Sequence, residues 1–147
     1  MQFEDESFAL HVATEFERRG FPPGSLVLEL TRDLEPVDER ALRPLRMLRE
    51  IGVEISLAGY GASSSSLDRL RSVPLTEVKL PGDLVRAAAG PALAVLRDRV
   101  EIAHAHGLRV VAEGIETLTH LVIAVQLGGD RAQGFLIRHP DSEIVFP

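Results

Sequence analysis

The stretch Val110-Val111-Ala112-Glu113-Gly114-Ile115-Glu116, followed by Ala132-Gln133-Gly134-Phe135, decides how this chain reads. Both place acidic or amide groups where successive strands should end, and two carboxylates and an amide at such a level suggest a polar site. Earlier, Leu57-Ala58-Gly59-Tyr60-Gly61 ends another strand at the same level with no acid at all. The site therefore reads as partly dismantled.

Working outward, apolar runs of strand length alternate with helical patterns. Strands are expected over Leu26 to Leu30, Glu54 to Ala58, Glu77 to Leu80, Arg109 to Glu113 and Arg131 to Leu136. Their Val, Ile and Leu content suits a sheet covered on both faces. Phe8, Val12 and Phe16 give a first helix one apolar stripe. Asp38 can cap a second, with Leu42, Leu45, Leu48 and Ile51 inward and Gly52 stopping it, while Pro44 should kink or shorten it. Ser65 to Val73 reads as a short third helix. Pro91 opens a fourth, with Leu93, Leu96, Val100 and Ala103 inward and Gly107 at its end. Thr117 can cap a fifth whose Leu118, Leu121, Val122 and Val125 face the sheet before Gly128. A helix, four strand–helix units and a closing strand predict an α/β fold with parallel strands joined by right-handed crossovers.

At 147 residues and 45% apolar, the chain supports one domain over 1–147. No run reaches the roughly 18–20 apolar residues of a membrane span, and Met1-Gln2-Phe3-Glu4-Asp5-Glu6 lacks secretory features, so a soluble cytoplasmic protein without membrane association is expected. The sequence contains no cysteine, which excludes disulfides, thiolate metal sites and cysteine nucleophiles. A net charge of −6 argues against DNA or RNA as a partner.

Leu28-Glu29-Leu30-Thr31, Val78-Lys79-Leu80, Val111-Ala112-Glu113-Gly114-Ile115-Glu116 and Gln133-Gly134-Phe135, with Pro140 beyond, stand in an order and spacing that resemble the EAL-type cyclic di-GMP phosphodiesterase domain of bacterial signalling proteins. Ser65-Ser66-Leu67-Asp68-Arg69-Leu70 resembles the stretch after that family's Asp-Asp-Phe-Gly motif. The resemblance covers nearly the whole chain but about the C-terminal 60% of the family domain. It implies a parallel sheet derived from a (β/α)8 barrel, with about five of eight strands present and helices outside. The family's first three strands, including the Glu-Ala-Leu signature, have no counterpart.

The resemblance implies a two-metal phosphodiesterase ancestry, in which paired Mg2+ or Mn2+ ions need several oxygen ligands, one of them bridging. Glu29 and Glu113 match metal ligands, with Glu116 close by in the loop. Lys79 matches a lysine that contacts the catalytic water or the phosphate, and Gln133 a residue near the site. Plainer readings stand beside these: Glu29 paired with a neighbouring cation, Glu113 as acidic capping near Thr117, Lys79 in a structural ion pair with Glu29 or Glu113, and Gln133 bonded to loop backbone. Ala58 and Gly59 replace the adjacent aspartates that supply the bridging ligand, Pro81 replaces an acid, and Arg32 stands in place of a glutamate. No metal is expected in this chain unless the site is completed elsewhere. Histidines offer no base: His104 and His106 face different directions, and His11, His120 and His139 lack partner spacing.

A non-catalytic signalling or interaction module follows, with a protein partner or a homodimer, since Tyr60 to Leu67 resembles the family's subunit-communicating loop. The alternatives are a cyclic di-GMP receptor, or a phosphodiesterase only if another chain or segment completes the barrel.

Overall fold

The computed structural model describes residues 6–31, 39–62, 70 and 72–137. Arg32, Asp38, His139, Pro140 and most of the helix expected over Ser65 to Val73 lie outside the described residues. Helix α1 (Glu6–Arg19) leads into β1 (Val27–Leu30), α2 (Glu39–Glu50), β2 (Glu54–Leu57), β3 (Glu77–Leu80), α3 (Gly82–Ala87), α4 (Pro91–Ala105), β4 (Arg109–Ala112), α5 (Leu118–Leu127) and β5 (Arg131–Ala132). The strands form one parallel sheet in the order β1-β2-β3-β4-β5. This is the α/β architecture expected from the alternating pattern.

Register separates the two faces of the sheet, because side chains alternate along a strand. Leu28 and Leu30, Ile55 and Leu57, Val78 and Leu80, Val110 and Ala112, and Ala132 share one face and join the main core. Against them pack Leu42 and Leu45 of α2, Val85 of α3, Leu96, Val100 and Ala103 of α4, and Ala124 and Leu127 of α5. Each large aliphatic side chain buried this way contributes about 1.5–3 kcal/mol. A smaller cluster holds α1 to α2 through Ala9, Phe16, Leu48 and Val53. The other face of the sheet is different: Glu29, Ser56, Glu77 and Arg109 stand in one row, and Lys79, Val111 and Arg131 in the next. The expectation of apolar cover on both faces is therefore corrected. Only the helix-bearing face is apolar, and the face that lines the interior in a closed barrel is charged.

Several local expectations shift. Helix α2 runs through buried Pro44 without being shortened. Proline removes one helical donor there, and burial of Leu42, Leu45 and Leu48 on either side offsets the loss. Strand β5 ends at Ala132 instead of Leu136, because the chain turns at once: the Leu136 N–H donates to Ile115 O at 2.9 Å and the Ile137 N–H to Gly134 O at 3.0 Å. In α5 the expected inward residues Leu118, Val122 and Val125 are 71%, 55% and 68% exposed, while Ala124 and Leu127 are buried. A helix apolar nearly all round gives periodicity no face to choose, and the Thr117 cap fixes the phase. Helix α3 was not expected; it is short and rests on Val85.

Candidate functional site

Four of the residues singled out in the sequence meet at the C-terminal end of the sheet. Glu29 comes from β1, Lys79 from β3, Glu113 from the residue after β4 and Gln133 from the residue after β5. Lys79 Nζ donates to Glu29 Oε2 at 2.6 Å, to Glu113 Oε1 at 3.3 Å and to Gln133 Oε1 at 3.3 Å. An ammonium has only donors, so the amide oxygen of Gln133 must be the atom that faces it. The Lys79 side chain is 11% exposed, against 44% for Glu29 and 29% for Glu113. Burial, the largest influence, works against its charge, but the hydrogen bond to Glu29 and the nearby Glu113 carboxylate hold the Lys79 pKa above its usual value. The ion pair that stood as one reading of Lys79 is thus the observed geometry. Glu113 points at Lys79 rather than at the following helix.

The loops around this cluster are fixed by close backbone contact. A Cβ on Gly82 would lie 2.9 Å from Gly114 Cα, and one on Gly114, whose φ is +63°, would lie 3.0 Å from Gly82 Cα. Glu113 is therefore delivered by a loop pressed against the start of α3. Gly59 turns the chain after β2 with φ +74°, and the Tyr60 N–H donates to Lys79 O at 2.9 Å. Ala58 and Gly59 sit beside Lys79 in this way and bring no side-chain oxygen. Pro81 O accepts from the Leu84 and Val85 N–H groups at the start of α3. Glu116 is exposed and does not join the cluster; its N–H donates to His120 Nδ1 at 3.3 Å, beside the Thr117 cap. Among the described residues no three His, Asp or Glu side chains converge where they could hold a metal ion.

Sequence reading missed a second charged group at the opposite end of the same face. Arg109 bonds Glu54 and lies 3.4 Å from Glu77 Oε2, which Arg131 approaches at 3.5 Å. Glu77 is 4% exposed. The signal was present, since Glu54, Glu77, Arg109 and Arg131 share strand parity with Glu29 and Lys79. Between the two groups Ser56 Oγ is buried without a hydrogen-bond partner. A cavity of about 650 Å³ opens at this end, lined in part by Arg49, Glu54, Thr76 and Arg109.

Two of the exposed histidines make hydrogen bonds. His104 Nε2 lies 2.9 Å from Asp130 Oδ2, which also accepts the Val110 N–H at 2.8 Å. Burial raises the Asp130 pKa, but the Val110 N–H and His104 outweigh it and hold the carboxyl below its usual value. His106 Nδ1 contacts Ile102 O at 2.8 Å, and His11, like His104 and His106, is exposed. The Asp130 contacts lie away from the Lys79 cluster and tie α4 to β4.

Residues 1–140 match the EAL domain family. Cyclic di-GMP phosphodiesterase RocR of Pseudomonas aeruginosa is 34% identical over 133 residues, which is 88% of this chain and 33% of that protein. Among solved structures, the EAL domain of Mycobacterium smegmatis DcpA is similar at TM-score 0.81 and 33% identity, over 90% of this chain and 61% of that one. PaMucR phosphodiesterase, solved as a c-di-GMP complex, is similar at TM-score 0.80 and 30% identity, over 95% of this chain and 57% of that one. The chain spans a third of RocR and about three fifths of these two solved chains.

Proposed function

The chain belongs to the EAL domain family, and from that premise we propose that it is a non-catalytic signalling or protein-interaction module of bacterial cyclic di-GMP signalling, working in the cytoplasm. No helix among the described residues is long and apolar enough to cross a membrane, which agrees with that setting. The carrying observation is the seating of Lys79 between Glu29 and Glu113, beside a turn in which Ala58 and Gly59 offer no oxygen ligand. The Mg2+ or Mn2+ pair implied by the family resemblance needs several oxygens, one of them bridging. Two carboxylates and one amide committed to an ammonium do not fit that demand. No hydrolytic step is assigned to these residues.

The test is incubation of the purified chain with cyclic di-GMP and excess Mn2+, followed by chromatography of the nucleotide. No turnover above the protein-free control is expected, and robust cleavage overturns the reading. Restoration of cleavage only after adding a polypeptide that supplies the remaining strands would make the module one part of a composite phosphodiesterase.

A second reading, reception of cyclic di-GMP without cleavage, draws support from the c-di-GMP complex of PaMucR. Against it, Lys79 spends its donors on protein oxygens. Calorimetric titration with cyclic di-GMP separates the two, because a pure interaction module gives no heat and no thermal shift at high micromolar nucleotide. A protein partner, a second copy included, remains the proposed companion. Sedimentation of the chain as a well-folded monomer at tens of micromolar would count against self-association.

A further inference from the structure

The cavity of about 650 Å³ lies where the turns before β1, β2, β3 and β4 come together, at the end of the sheet away from the Lys79 cluster. Adjacent strands stand about 4.8 Å apart, so a groove crossing four such turns is roughly 14 Å long. Its volume is that of a small-molecule site.

Several polar groups in its wall keep unused bonding capacity. Arg49 Nη1 donates to Val53 O at 2.9 Å, and among the described residues no acid pairs with Arg49. Arg109 engages Glu54 and Glu77 through Nη2 alone, which leaves Nη1 without an acceptor among the described residues. On the acidic side, Glu54 gives Oε2 to Arg109, whereas its Oε1 faces the turn at Gly24, 3.6 Å from where a Cβ would stand. Glu50 is exposed at the rim.

The charges of this wall balance, Arg49 and Arg109 against Glu50 and Glu54. Helices α2 and α4 also end here, and a helix C-terminus adds about half a negative charge to the acidic side. A simple anion or a simple cation would therefore meet like charge beside unlike. A ligand that carries both signs a few bonds apart answers both. Pro23, Ile51 and Leu75 supply an apolar wall for the rest of it.

We propose that this cavity binds a small zwitterion of the free α-amino-acid class: its carboxylate held by Arg49 and Arg109, its ammonium by Glu50 and Glu54, its side chain against Pro23, Ile51 and Leu75. The site lies outside the residues on which the proposed function rests and stands or falls without it.

L-Leucine is the probe, with isocaproate, which lacks the ammonium, and isoamylamine, which lacks the carboxylate, as its two halves. In amide proton–nitrogen correlation spectra, leucine should move the backbone signals of Gly24, Gly52 and Gly107 saturably. The ammonium signal of Lys79, the single lysine of the chain, should stay fixed. Each half should bind at least about tenfold more weakly, the loss of one charge-assisted contact. Arg49→Gln should weaken leucine by about the same factor, and Glu50→Gln, at the exposed rim, about two- to fivefold. Arg46→Gln, on the same helix but paired with Glu39, should change nothing. Where Arg49→Gln lowers the melting temperature of the ligand-free chain, Glu50→Gln decides. Absence of saturable movement at the three glycines in tens of millimolar leucine overturns the proposal, as does equal affinity for leucine and either half, or leucine binding unmoved by both variants. Cleavage of cyclic di-GMP in the assay described above removes the proposed function and leaves this site in place.

Discussion

Replacing Gly114 by alanine would set a methyl group 3.0 Å from Gly82 Cα in a backbone conformation of φ +63°. Two costs combine. A side chain in the left-handed region costs roughly 1–2 kcal/mol, and forcing backbone apart in a packed region costs about 1–3 kcal/mol. Their sum, about 2–5 kcal/mol, is a large share of the roughly 5–15 kcal/mol that holds a domain together. Gly107 supplies the control, since its φ is +73° and nothing lies within 4 Å of an added Cβ. Gly107→Ala should therefore show the conformational cost alone. Gly82→Ala tests the steric cost from the other side, because its Cβ would meet Gly114 Cα at 2.9 Å and Glu113 O at 3.1 Å. Urea denaturation of all three variants, with unchanged m-values, gives the comparison. The double variant should cost less than the sum of its singles if one shift relieves both clashes. Gly114→Ala within about 0.5 kcal/mol of Gly107→Ala would refute the close approach as the element that positions Glu113.

Raising the pH should weaken the fold through Lys79: its raised pKa makes its contribution fully present below the unfolded value of about 10.4 and lost as pH climbs through the folded value. The urea midpoint should thus fall more steeply above that point in the unaltered chain than in Lys79→Met. Asp130 runs the other way, since its lowered pKa makes its contribution present above the unfolded value and lost as pH falls through the folded one. Asp130→Asn should cost about 1 kcal/mol at neutral pH through weaker bonds to Val110 N–H and His104, with the gap closing in strong acid. Glu77→Gln removes the carboxylate shared by Arg109 and Arg131, and thermal unfolding should show a loss of about 1–3 kcal/mol; an unchanged midpoint would make that group dispensable.

The parallel strand–helix order was legible from short-range signals, whereas the grouping of Glu29 and Lys79 with Glu113 and Gln133 came from the family resemblance. Apolar runs such as Val110 to Ala112 mark strands, and parallel alignment brings their ends to one level. What periodicity could not supply was the phase of α5, where Ile123 and Ala124 compete with Val122 and Val125 for the inward side. The early end of β5 was hidden as well, since it depends on Gly134 packing against Ile115, with a would-be Cβ 2.3 Å from Ile115 N. Pairwise partners were equally invisible: nothing in the spacing of Glu54, Glu77, Arg109 and Arg131 says that they meet before the register is known.

That missed group bears on the meaning of the Lys79 cluster. At the N-terminal end of the sheet, Arg109 lies between Glu54 and Glu77, which come from neighbouring strands; at the C-terminal end, Lys79 lies between Glu29 and Glu113. Barrel enzymes do their chemistry at the C-terminal end of the strands and use the other end for stability. The same device, a cation shared by acids from separate strands, therefore appears on this face where no chemistry is expected. A carboxylate placed here by strand parity must be paired to be buried at all. Satisfying buried Glu77 required Arg109 and Arg131; at the other end the buried group is Lys79, and Glu29 and Glu113 satisfy its charge. On that account Glu29 and Glu113 have a structural role at the C-terminal end of the sheet, holding the charge of a lysine that is 11% exposed.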